Sequence, residues 1–387
     1  MNDRASTDWD AIVIGAGPAG AMTSLLLARE GLATLLVERK AFPRHKVCGG
    51  CLNAHAVAAL GRAGLVHRIV RAGARPIDRF VVRHEARSVA VDMPAGLAVS
   101  RATLDAVLVE SAVEAGCTFQ PETAALVAPE SPAPAREDWR GVTFGPVRGG
   151  PPVVARGRVV IAADGLAHSA LSEGDGFKSI VWAGSRIGLG GVTPARVVDC
   201  GERAILMAVG PTGYVGVVEV EDGMLNIAAA VDPGALRGPG GAAAGVAAIL
   251  EASGVAVREP LDRVTWLGTV PLTRRMVRPA GRRVLVVGDA AGYVEPFTGE
   301  GMAWALAAAE AVVPFVLEGQ GAWSEALERR WLRTFGRVVG REQRWCRFVS
   351  RGVRHPGVVR LAMAALRAEP RLARPVLSHL TPGVRGS

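Results

Sequence analysis

The chain has 387 residues, 49% of them hydrophobic and 21% charged, which is typical of a folded globular protein and excludes a largely disordered one. This length suffices for one large domain or two intertwined domains with a sizeable core. No uncharged apolar run reaches ~18 residues, so no membrane-spanning helix is predicted. Charged residues ahead of the first strand, together with five cysteines, favour a cytoplasmic chain without a secretory leader.

The net charge of +9 is concentrated at the C-terminal end of the chain. From Arg341 onward ten arginines face two acids, Glu342 and Glu369, which gives this segment a net charge of +8 and leaves about +1 for the first 340 residues. Three of the 45 basic residues are lysines, a bias more typical of GC-rich coding than of phosphate recognition. We therefore expect no nucleic-acid partner.

The first predicted elements form a βαβ unit around a G-x-G-x-x-G turn. An apolar strand at 11–14 precedes Gly15, Gly17 and Gly20, and a helix then leads to a second apolar strand that ends before Glu38. In this pattern the first glycine makes a tight turn, the second admits a pyrophosphate, and the third allows close packing of helix and strand. The pyrophosphate lies on the helix N-terminus, and Glu38 is placed to bind ribose hydroxyls. The unit predicts a dinucleotide site.

Strands and one helix are predicted in the next part of the chain. Alternating residues over 76–100 indicate strands, and residues 101–111 place apolar side chains on one face of a helix. Short apolar runs between Cys117 and Asp164 are typical of a β-meander that leads into a buried strand at 159–163.

The rest of the chain is strand-rich and then helical. Strand-like patterns fill about 180 to 272, apart from one helix at 242–253, and a buried strand at 283–287 precedes a helix beginning near Thr298. We predict an α/β fold in which a Rossmann-like nucleotide-binding domain is interrupted by an inserted β-sheet substrate domain and followed by a helical C-terminus. The predicted bounds are 1–75, 97–175 and 275–340 for the nucleotide-binding domain, 76–96 and 176–274 for the substrate domain, and 341–387 for the basic helical C-terminal segment.

A second glycine-rich motif follows the strand at 283–287. Asp289 places a carboxylate at the sheet edge where open α/β sheets bind ligands, and it can accept hydrogen bonds from the ribityl hydroxyls of a flavin. The turn with Gly299 and Gly301 begins a helix, whose free amides and dipole favour developing negative charge, as on a reduced flavin. This motif predicts that the bound dinucleotide is a flavin.

Three separated segments of the sequence resemble the geranylgeranyl reductase family, and the resemblance covers roughly residues 9–310. The segments are IGAGPAG at 14–20, FPRHKVCGG at 42–50, and GDAAG with PFTGEGM within 288–302. That family belongs to the flavoprotein superfamily with the p-hydroxybenzoate hydroxylase fold, which also includes FAD monooxygenases and flavin halogenases. The resemblance implies the same fold and FAD as the cofactor.

The resemblance also implies roles for individual residues. Asp164 and Gly165 match a fingerprint of flavin hydroxylases, although Leu171 stands where that fingerprint has an arginine. The implied FAD-binding residues are Gly15, Gly17, Ala19 and Gly20 at the pyrophosphate, Glu38 at the adenosine ribose, Cys48 and Gly49 near the flavin, and Arg101 at the pyrophosphate and ribityl region, together with Pro18, Arg39, Asp164, Asp289, Gly299, Gly301 and Met302.

Cys48 and Cys51 form a C-x-x-C pair with two interpretations. The pair can pass electrons to the flavin as a redox dithiol, or the two small side chains can pack beside the isoalloxazine. Disulfide reductases carry a second nucleotide fingerprint, which this sequence lacks. No cysteine or histidine pair stands at zinc-ligand spacing, so no metal is predicted.

The catalytic residues stay unknown, with Tyr214, Tyr293 and Cys48 as candidates. Either tyrosine can donate a hydrogen bond to a phenol or carbonyl, or serve as an ordinary sheet or loop residue. The active-site lysine and W-x-W-x-I-P segment of the halogenases are missing, and the Y-x-W-x-F-P element of archaeal prenyl reductases retains only its tyrosine, Tyr214.

We expect an FAD-dependent monooxygenase that hydroxylates a lipophilic aromatic or polyketide-like small molecule, with NAD(P)H as the electron donor. One alternative is reduction of carbon–carbon double bonds in a prenyl chain. Another is dithiol-linked electron transfer.

In the segment 341–387 arginines are interspersed with apolar residues. This pattern has two interpretations: peripheral association with an anionic membrane, or a solvated helical tail.

Overall fold

A computed structural model describes residues 8–129, 138–173, 176–295, 297 and 299–373. In this part of the chain the strands form two eight-stranded sheets and one three-stranded sheet. The predictions that concern 1–7, Pro296, Thr298 and 374–387 lie outside the described residues.

Nineteen strands and nine α-helices are found among the described residues. The strands are β1 (Asp8–Ile14), β2 (Thr34–Val37), β3 (Cys51–Leu52), β4 (Arg75–His84), β5 (Arg87–Ala98), β6 (Thr118–Gln120), β7 (Thr123–Val127), β8 (Arg140–Pro146), β9 (Val153–Ala162), β10 (Ser179–Val181), β11 (Ile187–Pro194), β12 (Ala204–Gly210), β13 (Gly213–Glu219), β14 (Met224–Val231), β15 (Leu267–Pro271), β16 (Arg274–Met276), β17 (Ala280–Gly281), β18 (Val284–Val286) and β19 (Gly292–Tyr293). The helices are α1 (Pro18–Arg29), α2 (Ala54–Arg62), α3 (Val66–Arg71), α4 (Arg101–Glu114), α5 (Gly241–Ala252), α6 (Gly301–Gly319), α7 (Glu325–Phe335), α8 (Arg341–Val353) and α9 (Pro356–Ala368).

The first sheet has the strand order β17-β18-β9-β1-β2-β6, and it unites the four apolar strands predicted from the sequence for the nucleotide-binding domain. Strands β18, β9, β1, β2 and β6 are parallel, and β7 and β8 extend from β9 as an antiparallel meander. Ile12 in β1 aligns with Leu35 on one side and with Val160 on the other, and all three are buried. Burial on both faces explains why these strands are continuous apolar runs.

The second sheet has the strand order β15-β11-β14-β13-β12-β4-β5-β3. It is antiparallel except where β12 pairs with β4. Its edge strand β3 falls within residues 1–75, which were predicted to belong to the nucleotide-binding domain. The strand nevertheless pairs with β5 of the second sheet, where Cys51 aligns with Ala98. A two-residue strand has no periodicity for a sequence to reveal. The loop before β3 thus runs from the first sheet to the second, and the domain bounds themselves stay a prediction.

Helix α6 follows the second glycine-rich motif and begins at Gly301. By length and composition alone it is long and apolar enough to cross a membrane, although half of its most apolar stretch is buried inside the protein. It contacts α1 and α2, and its buried side chains belong to the hydrophobic core around the first sheet. The helix is not an uncharged apolar run, because it contains Glu310.

The basic C-terminal segment is helical as far as it is described. Helix α8 continues from α7 through a wide turn at Gly336–Gly340, and α9 folds back to contact both α8 and β5. Ion pairs of Arg360 and Arg354 attach these helices to the rest of the molecule. Arg360 forms hydrogen bonds of 2.8 and 2.7 Å with Glu85 at the tip of the β4–β5 hairpin, and Arg354 contacts buried Glu295 at 3.4 Å.

Candidate functional site

A cleft, which we call the nucleotide cleft, lies at the carboxyl ends of three adjacent strands of the first sheet. Gly15 follows β1, Asp164 comes after β9, and Asp289 comes after β18. Of the FAD-binding residues predicted from the sequence, those that line this cleft are Gly17, Pro18, Ala19, Cys48, Gly49, Arg101, Asp289, Gly299, Gly301 and Met302.

Gly15 and Gly20 shape the turn beneath the cleft. The φ of Gly15 is +105°, and a Cβ added there would lie 2.4 Å from the carbonyl oxygen of Ala163. A Cβ on Gly20 would lie 1.9 Å from the carbonyl oxygen of Gly15. Since neither position can hold a side chain without moving backbone, these glycines bring α1, β1 and β9 together.

Gly17 leaves the N-terminus of α1 open toward the cleft. Helix α1 begins at Pro18, and no side chain caps its first amides. A Cβ on Gly17 would lie 3.4 Å from Nη2 of Arg101, so the guanidinium faces the same space as these amides. Uncapped amides and a guanidinium together favour a phosphate group. The missing Cβ and the charge opposite it therefore fit the pyrophosphate of FAD.

Glu38 lies at the end of β2 beside this turn. Its carboxylate accepts hydrogen bonds from the backbone amides of Ala16, at 3.2 Å, and Lys40, at 3.0 Å, and from Nη2 of Arg44, at 2.7 Å. Burial alone would raise the pKa of Glu38, but the charge of Arg44 and these hydrogen bonds lower it. The carboxylate is therefore ionised and fixed at the position that the sequence assigned to the ribose. Its neighbour Arg39 is exposed and does not line the cleft.

Arg44 and Asp105 connect Glu38 to Arg101, and the sequence analysis assigned a role to neither. Arg44 donates through Nη1 to Asp105 at 2.7 Å, and Arg101 donates to the same carboxylate at 2.9 and 2.8 Å. Burial would lower the pKa of the Arg101 guanidinium, but Asp105 outweighs that effect and raises it. Asp105 stands four residues after Arg101 on α4, a spacing that places two residues on one helix face and that the sequence did contain.

Lys46 is a further cleft residue that the sequence analysis did not single out. Its side chain lies against Gly165, where an added Cβ would be 2.6 Å from Nζ. Burial and the charge of Arg101 lower the pKa of Lys46, whereas burial raises the pKa of both Asp289 and Asp164 against the opposing charge of Lys46. Lys46 therefore lies near two acids, Asp289 and Asp164. Asp164 does not line the cleft, and it accepts a 2.9 Å hydrogen bond from the amide of Ala170.

The two cysteines of the C-x-x-C pair both line the cleft and are both free. The thiol of Cys51 donates to the carbonyl oxygen of Gly49 at 3.2 Å. Burial, with a smaller contribution from Cys48, raises the pKa of Cys51. A buried thiol with a raised pKa forms little thiolate, so the environment of Cys51 disfavours the dithiol interpretation.

A second cavity, which we call the inner cavity, opens from the nucleotide cleft toward the second sheet. The two spaces share Lys46, Cys48, Asp289 and Tyr293 among their walls. The remaining wall of the inner cavity is largely apolar and includes Phe80, Ile205, Met207, Ala228, Ala229, Ala230, Leu272 and Phe297.

Tyr214 and Tyr293, the two tyrosines of the chain, both line the inner cavity. Tyr214 lies on β13 of the second sheet, and Tyr293 lies on β19 beside the second motif. Burial raises the pKa of each well above its usual value, so both hydroxyls stay protonated near neutral pH. They are hydrogen-bond donors in a cavity whose wall toward the second sheet is largely apolar, which is the arrangement expected of a small-molecule site.

Comparison with known proteins supports a flavin site. Residues 8–217, more than half of the chain, match the family model described as FAD binding domain. Digeranylgeranylglycerophospholipid reductase 2 of Methanopyrus kandleri is 28% identical over 370 residues, which cover 86% of this chain and 84% of that protein. A menaquinone reductase of Mycolicibacterium smegmatis is 45% identical over 65 residues, 17% of this chain and 15% of that protein. The resemblance to the geranylgeranyl reductase family is confirmed.

Solved structures with the same fold include flavin-dependent oxygenases and halogenases. The p-nitrophenol 4-monooxygenase PnpA of Pseudomonas putida DLL-E4 has a TM-score of 0.75 at 18% identity, and the match covers 98% of this chain and all of that one. The flavin-dependent brominase Bmp2 has a TM-score of 0.74 at 15% identity, with 97% and 93% covered. The predicted fold is thereby confirmed. The chain belongs to the FAD binding domain family, with the p-hydroxybenzoate hydroxylase fold, and it is an FAD-dependent oxidoreductase.

Proposed function

We propose that the protein is an FAD-dependent monooxygenase that hydroxylates a lipophilic aromatic or polyketide-like small molecule. The observation that carries this proposal is the inner cavity, whose apolar wall continues directly from the nucleotide cleft. An apolar space with two protonated tyrosine hydroxyls suits an aromatic ring that bears a phenol or carbonyl group. When bound, FAD supplies the transfer of electrons to oxygen.

The side chains at the boundary of the two spaces have separate tasks in this proposal. Lys46 and Arg101 place positive charge beside Asp289, and this positive charge stabilises negative charge at this end of the cleft. Tyr214 and Tyr293 hold the substrate by donating hydrogen bonds to its oxygen. The apolar wall excludes water from the reacting ring.

We propose NAD(P)H as the electron donor. The first test is oxygen uptake by the holoenzyme with NADH or NADPH in the presence of 4-hexylphenol, an aromatic ring with a short alkyl chain. Oxygen consumption that depends on the phenol and yields an equal amount of a catechol supports monooxygenation. Oxygen consumption that the phenol leaves unchanged, with no catechol, would reject it.

Reduction of carbon–carbon double bonds is the second candidate, and the similarity to the digeranylgeranylglycerophospholipid reductase over most of both chains favours it. The inner cavity suits a prenyl chain as well as an aromatic ring. The two candidates differ in their need for oxygen. Anaerobic reduction of geranylgeraniol by holoenzyme that dithionite has reduced would select this second function.

We also propose a cytoplasmic location, with α8 and α9 in contact with an anionic membrane surface. Phe348 and Leu361 on these helices are 70% and 72% exposed, and the exposed arginines Arg344 and Arg367 lie on the same two helices. Exposed apolar side chains among arginines favour an anionic lipid interface. Such an interface would bring the enzyme to a lipophilic substrate. A second copy of this surface is a poorer partner, since a symmetric contact would bring arginines against arginines.

A further inference from the structure

A third space, which we call the apolar groove, lies between the second sheet and helices α8 and α9. Its floor is formed by strands β4 and β5, with side chains such as Val82 and Val91, and its roof by residues such as Val349, Val359 and Met363. Arg351 and His355 are the lining residues with ionisable side chains. The lining therefore selects a hydrocarbon ligand over a polar one.

The apolar groove is adjacent to the inner cavity, because Phe80 and Phe297 line both spaces. The ring of Phe297 stands edge-on to Phe80, with centroids 6.0 Å apart, and edge-on to Tyr214, with centroids 5.2 Å apart. Phe297 is thus a partition between the cavity next to the flavin and the groove beneath the C-terminal helices. In sequence it stands between Tyr293 and Gly299, which both line the nucleotide cleft.

Ion pairs hold the roof of the groove above its floor on two sides. Arg360 pairs with Glu85 at the tip of the floor hairpin, and Arg354 pairs with Glu295 next to the inner cavity. The helices are therefore fixed to the same elements that form the floor and the partition. Where the groove opens between floor and roof, its apolar side chains lack contacts on one side, and a hydrocarbon placed there supplies those contacts.

We infer that the apolar groove binds the hydrocarbon chain of a substrate whose ring lies in the inner cavity, and that Phe297 determines which chain lengths are accepted. This inference rests on the proposed function and narrows its substrate class to aromatic molecules with a long alkyl or alkenyl substituent. Phe80 and Phe297 line both spaces, and this shared wall is the reason to assign the groove to substrate rather than to a partner protein.

Binding of primary alcohols tests the groove without requiring turnover. Calorimetric titration of the holoenzyme with butan-1-ol, hexan-1-ol, octan-1-ol and decan-1-ol should show the affinity rising about two- to fourfold for each methylene. Val82→Trp, which fills the groove, should abolish this rise and leave FAD occupancy intact. The matched control is Val81→Trp on the same strand, because Val81 packs against the cluster on the opposite face of the sheet. That variant should retain the rise.

Substitution of Phe297 tests the partition itself. The flavin absorbance change on titration with 4-ethylphenol and 4-decylphenol gives the ratio of their dissociation constants. Phe297→Ala should shift this ratio at least tenfold toward the longer phenol, and Phe297→Leu should give a smaller shift in the same direction. Unchanged FAD occupancy and melting temperature show that the variants fold.

Two results would overturn the inference: alcohol affinities that do not depend on chain length, or equal effects of Val82→Trp and Val81→Trp. A ratio of phenol constants unchanged in both Phe297 variants would remove its role as the partition. These are binding measurements, so a failure to oxygenate any phenol would count against the proposed function and leave the groove assignment standing.

Discussion

The guanidinium of Arg101 is held by the carboxylate of Asp105, one turn further along α4, through hydrogen bonds of 2.9 Å from Nε and 2.8 Å from Nη2. The same carboxylate accepts a 2.7 Å hydrogen bond from Arg44, which in turn pairs with Glu38. A single buried acid therefore positions both arginines beside the N-terminus of α1. This network joins the ribose end of the nucleotide cleft to its pyrophosphate end.

Asp105→Asn should weaken FAD binding about 10- to 100-fold, because the loss of charge-assisted hydrogen bonds of this kind costs about 1.5–3 kcal/mol. Titration of apoprotein with FAD, followed by flavin fluorescence, measures the change. The matched control is Glu114→Gln on the same helix, because Glu114 pairs with Arg68 at the surface and lies outside the network of Asp105. Equal FAD affinities for Asp105→Asn and Glu114→Gln would show that Asp105 does not position the arginines.

Gly17→Val should yield protein without FAD, since its side chain would enter the space between the amides of α1 and the guanidinium of Arg101. The ratio of flavin to protein absorbance after gel filtration measures occupancy. Gly145→Val on β8 is the control, because a Cβ there meets no atom within 4 Å. Full occupancy in the Gly17 variant would contradict the assignment of the pyrophosphate to this turn.

The strands of the first sheet could be predicted from the sequence because each is a short apolar run that the sheet buries on both faces. The glycine turn and Asp289 could be predicted because local spacing alone places them at a strand end. Arg44 is different. It lies 61 residues from Asp105 in sequence, so its pairing with that acid depends on the path of a loop that shows no periodicity.

The positions of Lys46 and of the apolar groove also could not be predicted from the sequence, because they depend on contacts between distant parts of the chain. Nothing in the residues around Lys46 indicates that it lies against Gly165, more than a hundred residues away. The groove needs strands β4 and β5 and helices α8 and α9 to be placed together, and their patterns taken singly indicate only amphipathic elements. For Arg354 the sequence is misleading. It predicts a surface arginine of a basic tail, whereas in the structure Arg354 contacts buried Glu295.

The stability of the protein should depend on Glu38 in acid. Burial would raise the pKa of this carboxyl, but Arg44 and the backbone amides lower it below the ordinary value of 4.5. A lowered folded-state pKa stabilises the fold fully above pH 4.5, and that contribution is lost as the pH falls through the lowered pKa. Urea unfolding from about pH 3 to pH 6 should therefore show a flatter acid limb for Glu38→Gln than for the wild type. Parallel curves would contradict this account of Glu38.

Binding to anionic vesicles should decrease when exposed arginines of the C-terminal helices are neutralised. Each arginine near such a surface contributes about 1 kcal/mol, so the triple variant Arg344→Gln, Arg367→Gln, Arg371→Gln should bind roughly 100-fold more weakly at low salt. Arg354 is left unchanged because it pairs with Glu295.

The control for the vesicle experiment is a triple variant with exposed arginines elsewhere, Arg148→Gln, Arg196→Gln and Arg258→Gln, which has the same net charge. Co-sedimentation with phosphatidylserine vesicles measures both variants. Failure of the wild type to sediment at low salt would mean that these helices do not contact lipid, and equal losses in the two variants would mean that only net charge matters.

Mass spectrometry of the product formed under labelled oxygen tests the central claim most directly. Holoenzyme is incubated with NADPH and 4-hexylphenol under ¹⁸O₂ in unlabelled water. Monooxygenation predicts a catechol that carries one ¹⁸O atom, since one atom of the oxygen molecule enters the ring and the other leaves as water. A phenol recovered unchanged, or a catechol without ¹⁸O, would contradict the account.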